Sequence, residues 1–320
     1  MLRFFRTNLP QGLYVYMPVM MVLMHLPFYF NLPEIQFDNP NMLLEGVTEY
    51  LTDHPLIAYF IHTGLAILIG IILTAVFNDN DFTLNNTILP SLFAVVLLSS
   101  IGSLSIYIMV AIFFLSLAFW WQFYIEGHQS KLRHFFDTGF FYGLAFFFCL
   151  SFVPLLIIPV LFFAFTRTFN WREWFSLFVG ILTPFYFGAL ISFLVSDQWM
   201  FFETSLAPVG MGINSLSTLQ HAVTLSLLSF TGLMVILAIG IMSRSSNKIR
   251  RITAQLFIAI VALAVSFYMT EAPFSLFPTF IALPGILLAS KVMVDRQKYI
   301  DFFFHLVLIA AVVSNYSLFF

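Results

Sequence analysis

Apolar residues in this chain fall into long unbroken runs, separated by short polar breaks that carry almost all of the charge. Reading the runs between the breaks predicts eleven helical spans, at 12–30, 55–77, 87–101, 104–124, 138–150, 154–165, 174–195, 222–242, 252–270, 276–290 and 302–318. A helix that crosses a bilayer needs ~20 apolar residues. The stretch from Lys131 to Glu173 does not fit that length simply. Its 33 residues from 134 to 166 carry Asp137 as their sole formal charge, too many for one span and short for two. Basic residues stand at both ends (Lys131 and Arg133, then Arg167 and Arg172), and Pro154 offers a break in the middle. The segment therefore reads as a short hairpin that enters and returns, with both ends in the cytoplasm.

That reading decides the sidedness of the rest. Threading the spans alternately from a cytoplasmic N-terminus puts all thirteen Lys and Arg on the inner side. Eight of the fifteen acids (Glu34, Asp38, Glu45, Glu49, Asp53, Asp197, Glu203 and Glu271) fall outside. The outer face then carries eight acids and no Lys or Arg. If 131–173 crossed only once, the cluster Arg244, Lys248, Arg250 and Arg251 would move outside, against the positive-inside rule. Trp120, Trp121, Trp171 and Trp174 mark the inner boundary as an aromatic belt.

Composition agrees: 61% hydrophobic and 9% charged residues, with mean hydropathy +0.97, describe an integral membrane protein. The expected fold is a single all-α membrane domain over 1–320, a polytopic bundle with its N-terminus in the cytoplasm and its C-terminus outside. The first span has no small-residue cleavage site after it and reads as uncleaved. Cys149 is the only cysteine, so neither a disulfide framework nor a cysteine metal cluster is available. The 43 Phe residues need no function, since Phe is favourable in hydrocarbon.

Two outer loops have substance. In 31–54, Met42, Leu43, Val47, Tyr50 and Leu51 recur at helical spacing, which predicts an amphipathic helix on the outer membrane surface. The loop 196–220, with Pro208, Gly210, Gly212 and Asn214, reads as a flexible loop or lid. Asp137 opens the hairpin beside Gly139 and reads as a helix cap. Phosphate-cradling Gly loops, nucleophile elbows, the zinc-protease His-Glu-x-x-His and nucleic-acid motifs are missing, so no nucleic-acid partner is expected.

The run Phe136-Asp137-Thr138-Gly139-Phe140-Phe141-Tyr142-Gly143-Leu144-Ala145, with Phe169-Asn170-Trp171-Arg172-Glu173-Trp174 and Leu182-Thr183-Pro184-Phe185 after it, resembles an uncharacterised polytopic membrane family of Bacteroidota. That resemblance covers most of the chain and implies a bacterial cytoplasmic (inner) membrane. More loosely, the pattern is similar to the middle of GT-C glycosyltransferases, in which a Gly-rich hairpin precedes a basic and aromatic cytoplasmic turn. The likeness extends to the first half, where those enzymes place acids in the first outer loop and a His-Pro pair before the second span, as Glu34, Asp38 and His54-Pro55 stand here. It implies transfer from a lipid-linked sugar, with Asp38 as base and Glu34 as its neighbour. His54, His62 and Glu203 are then the substrate-binding candidates. A positioned carboxylate is what deprotonating a hydroxyl acceptor requires.

Histidines offer a second chemistry. His25, His54, His62 and His221 lie at the outer ends of spans, and with Asp38, Asp53 and Glu203 they supply ligands suited to a divalent metal ion. None stands at tight ligand spacing, and an interfacial histidine also serves as a plain polar anchor. His25 and His62, being deeper, are the stronger candidates. Two further function classes stay open. A non-enzymatic membrane subunit of a cell-envelope assembly suits an outer face without cations to hold phosphate. A transporter suits the short, Pro-interrupted helices, although mid-membrane charges are scarce.

Overall fold

A computed structural model describes residues 15–30, 45–82, 87–99, 106–127, 132–166, 170–196, 218–242, 245–269 and 282–295, with positions 305, 308, 309, 312, 313 and 316. Among these residues the structure is helical, without strands. In chain order the helices are α1 (Met17–Phe30), α2 (Glu45–Asp53), α3 (Pro55–Asp79), α4 (Leu89–Ser99), α5 (Ile106–Gly127) and α6 (Leu132–Phe148). A 3-10 segment, Leu150–Leu156, follows, then α7 (Ile157–Thr166), α8 (Trp171–Ser196), α9 (Thr218–Met242), α10 (Asn247–Met269) and α11 (Ala282–Asp295). Three described stretches are long and apolar enough to cross a membrane: Pro55–Asp79, Ile106–Tyr124 and Trp171–Leu194. Helix is what hydrocarbon demands, because there each backbone N–H and C=O must find its partner within the chain.

The central helix is α3, which packs against α1, α4, α5 and α11. From it one line of packing runs through α5 and α6 to α8, and another through α4 and α11 to α9 and α10. Short α4, only 11 residues, is too short to span alone, and every residue from 89 to 98 is buried. Protein rather than lipid therefore surrounds it. At the opposite extreme α8 has α6 as its principal neighbour, and its Phe175, Leu182, Tyr186 and Leu194 are exposed by 64%, 63%, 66% and 73%. Large apolar side chains in a row, with no charge after Glu173, make a surface compatible with lipid.

α5 and α6 are antiparallel, since Trp121 meets His134 (5.3 Å between ring centres) while Phe114 meets Phe148 (5.8 Å). Between them the Tyr142 hydroxyl donates to Gln122 Oε1 at 2.7 Å, and both residues are fully buried. Tyr142→Phe is expected to lower stability in detergent by about 1–2 kcal/mol, the scale of an interhelical hydrogen bond whose acceptor is then stranded. Thermal unfolding measures it, and adding Gln122→Leu should recover part of the loss. A Tyr142→Phe protein as stable as wild type would show the bond to be worthless.

α6 and α8 run parallel. The Ser176 hydroxyl donates to the Leu132 carbonyl at 2.9 Å near one end, and Phe147 meets Phe185 at 6.1 Å further along both helices. The chain between two parallel neighbours must travel back. The 3-10 segment of 7 residues and α7 of 10 supply ~29 Å of return against ~26 Å for the 17 residues of α6. Cys149, in extended conformation (φ −145, ψ 95), makes the break, and Pro154 sits inside the 3-10 segment.

Three local readings change. Helix α6 starts at Leu132, so Asp137 is not a cap: it lies in the second turn, its Oδ2 3.6 Å from Arg133 Nε one turn earlier. α10 starts at Asn247, drawing Lys248, Arg250 and Arg251 into its first turns instead of a loop. Lys291, expected as an inner boundary charge, is buried, and its Nζ donates to the Phe82 carbonyl at 2.6 Å. Buried hydroxyls have modest duties. Thr74, Ser91, Ser116, Thr138 and Ser290 bond carbonyls three or four residues earlier in their own helices.

Candidate functional site

α2 and α3 meet at His54. Its carbonyl accepts from the Ile57 and Ala58 N–H groups (3.0 and 3.3 Å), and its own N–H donates to the Tyr50 carbonyl at 3.1 Å. Pro55 follows at the first position of α3, where a missing N–H costs nothing. The sequence thus passes from surface helix to long span through one hydrogen-bonded corner. The His54 ring is exposed and stacks on Tyr50 at 4.5 Å. On α2, Leu51 is buried with Ala58 and Ile106, while Val47 and Tyr50 present apolar surface outward. Met42 and Leu43, the remainder of the expected apolar face, lie outside the described residues.

Two turns into α3 stands His62, only 4% exposed, beside His25 of α1, which is 0% exposed. The two ring centres are 5.3 Å apart and the ring planes are inclined by 62°. His25 Nδ1 is 2.9 Å from the Met21 carbonyl. A carbonyl only accepts, so Nδ1 carries the proton, and in the neutral ring Nε2 holds the lone pair. Neither ring nitrogen of His62 has a hydrogen-bond partner among the described residues. Tyr59, one turn before His62, and Thr63 beside it are also buried. Two buried imidazoles thus face each other across the α1 and α3 contact, with nitrogen lone pairs as the reactive groups they bring.

The predicted site residues thus separate. His25 and His62 come together; His54, eight residues before His62 and ~12 Å away along the helix axis, stays at the surface and shares no site with them. Asp53 ends α2 and is exposed. Glu34, Asp38 and Glu203 lie outside the described residues, as does the side chain of His221, whose backbone belongs to α9. No group of three His, Cys, Asp or Glu side chains that could hold a metal ion occurs among the described residues.

Sequence reading passed over the methionines. Met17, Met21 and Met24 fall within ~100° of His25 on the helical wheel, and all three are buried. That spacing was visible in the chain, but sulfur in an apolar run reads as ordinary core. Met17 has a packing task, since its methyl group occupies the notch left by Gly70 of α3. Comparison of the chain with protein-family models, with curated proteins and with solved structures finds no match.

Proposed function

We propose that the protein is a multi-pass component of the bacterial cytoplasmic membrane, threaded about eleven times with its N-terminus inside and its C-terminus outside. In this reading it is a GT-C-like enzyme that handles a lipid-linked sugar at the outer face. What supports the threading is a set of contacts that join only ends assigned to the same side. Trp120 Nε1 donates to Asp79 Oδ2 at 3.2 Å and Lys291 reaches Phe82, all assigned inside. Leu51 packs with Ala58 and Ile106, and Tyr316 donates to the Leu23 carbonyl at 3.0 Å, in the halves assigned outside.

The observation that carries the enzymatic reading is the corner at His54. An amphipathic helix with exposed Val47 and Tyr50 leads through His54-Pro55 into a long span, and the loop carboxylates Glu34 and Asp38 precede it in sequence. Asp38 acts as base towards the acceptor hydroxyl, with Glu34 beside it and His54, His62 and Glu203 as the substrate-binding set. The test is Asp38→Asn assayed in membranes for transfer from a polyprenyl-phosphate sugar, where product formation should collapse. Undiminished product removes the reading.

One observation favours a second reading, a non-enzymatic subunit of an envelope assembly. Eight outer acids with no outer Lys or Arg would repel a lipid phosphate unless a divalent metal ion intervened. That subunit predicts a stoichiometric partner on purification from native membranes. A protein that purifies alone and retains its full cellular function rules it out.

A further inference from the structure

We infer that α1 and α3 together form a site for a soft cation, Cu(I), held by His25 and His62 with a thioether from Met21 or Met24. The inference stands apart from the proposed glycosyl-transfer reading and shares with it only His62, a substrate-binding candidate by resemblance. It begins from an imbalance. His62 is 4% exposed, and both of its ring nitrogens lack a hydrogen-bond partner among the described residues. A polar ring is taken out of water there with no hydrogen bond among the described residues to repay it. A merely structural pair would join His62 to His25 by a ring-to-ring hydrogen bond, and that bond is not made.

The ring spacing leaves room for a metal between the rings. A metal bound at an imidazole nitrogen lies ~3.2 Å from the ring centre, being ~2.0 Å of bond plus ~1.2 Å within the ring. With one nitrogen of each ring turned to a shared ion, centres 5.3 Å apart subtend ~112° there, between trigonal and tetrahedral. Room is left for a further ligand. His25 is oriented as metal-binding histidines are, its Nδ1–H bonded to the Met21 carbonyl at 2.9 Å and its Nε2 carrying the lone pair.

The neighbouring donors choose the ion. Met21 and Met24 are buried on α1 within ~100° of His25 on the helical wheel, whereas the Met17 methyl group is committed to Gly70. No carboxylate joins the two histidines in a group of three among the described residues. Imidazole with thioether suits Cu(I), while hard cations such as Mg2+ or Ca2+ require oxygen ligands that this pair does not bring.

The test uses the full chain in detergent, stripped of metal and titrated anaerobically with Cu(I) against a chromophoric Cu(I) chelator. One Cu(I) per chain should be withheld from the chelator. His25→Ala and His62→Ala should each weaken retention at least tenfold, one of Met21→Leu and Met24→Leu should weaken it several-fold, and His305→Ala should leave it unchanged. Copper absorption spectroscopy on the loaded protein should show nitrogen with sulfur as nearest neighbours. Wild-type protein that surrenders all its copper overturns the site without reference to any variant. So does stoichiometric Zn(II) binding without Cu(I) retention, or copper held equally well after both histidine substitutions. Should a histidine variant fail to fold, the volume-conserving Met→Leu pair and the sulfur signal still decide, and unchanged retention in both without sulfur around the metal counts against the proposal.

Discussion

Gly143→Ala is expected to destabilise the folded protein by about 3 kcal/mol, at the upper end of what overpacking costs, because the obstacle is backbone. α6 and α8 touch main chain to main chain. A Cβ at Gly143 would fall within 3.0 Å of Ile181 backbone atoms, one at Gly139 would strike the Leu177 carbonyl, and one at Gly180 the Phe136 carbonyl. A flexible side chain could swing aside, whereas a helix backbone can only retreat as a whole. Retreat would open the packing along the parallel pair, including the Ser176 to Leu132 bond and the Phe147 contact with Phe185. Close approach through small residues is the main source of helix association in hydrocarbon, where the hydrophobic effect gives no help. Gly64→Ala and Gly232→Ala supply the contrast, since nothing lies within 4 Å of a Cβ at either position. Those two should be neutral or stabilising by up to about 1 kcal/mol, the helix propensity gained. Thermal unfolding of all three variants in one detergent makes the comparison. If Gly143→Ala melts with Gly64→Ala, the two helices are not held together by this seam.

The same seam shows what could be read from the chain and what could not. Gly139-Phe140-Phe141-Tyr142-Gly143 displays the two-glycine spacing of membrane helix pairs openly, but spacing on one helix does not name the other. Gly180 is a single glycine in an unrelated run, and only the fold brings it to Phe136. Helix as the sole secondary structure of the described residues was legible, because long apolar runs in lipid favour it as the way to satisfy the backbone. Helix starts were less so. Leu132 to Asp137 and Asn247 to Arg251 look like polar loops, yet a helix tolerates exposed charged turns at its end, and both stretches are helical. The burial of Lys291 was hidden for a related reason: a count of charges by side cannot tell a lysine facing water from one turned inward onto the Phe82 carbonyl. His25 and His62 were recognisable as deep polar residues, but their meeting depends on the α1 to α3 packing that Met17 and Gly70 set, a contact with no trace in periodicity.

On the proposed glycosyl-transfer reading, Asp38→Asn should lower the rate of sugar transfer by about 100-fold or more, the range that a positioned general base contributes. Asn keeps the size and hydrogen-bonding outline of Asp and removes the basic oxygen, so a proton on the acceptor hydroxyl has nowhere to go. The loss should fall on kcat, because the base acts in the transition state and contributes little to ground-state binding. A charge effect makes a different prediction. With eight acids and no Lys or Arg assigned to the outer face, removing any one of them weakens repulsion of a lipid phosphate, which would lower KM and leave kcat alone. Glu49→Gln, on the exposed side of α2, measures that effect by itself. A third role, ligation of a divalent ion that screens the phosphate, is separated by titrating Mg2+. A ligand variant regains rate at high Mg2+, and a variant lacking the base does not. The pH profile adds a check, since the acidic limb of the wild-type rate should vanish in Asp38→Asn if that limb reports its carboxylate. Loss confined to KM, or recovery with Mg2+, would leave the outer loop in use but take the base away from Asp38; unchanged transfer would hand the outer face to the envelope-subunit reading.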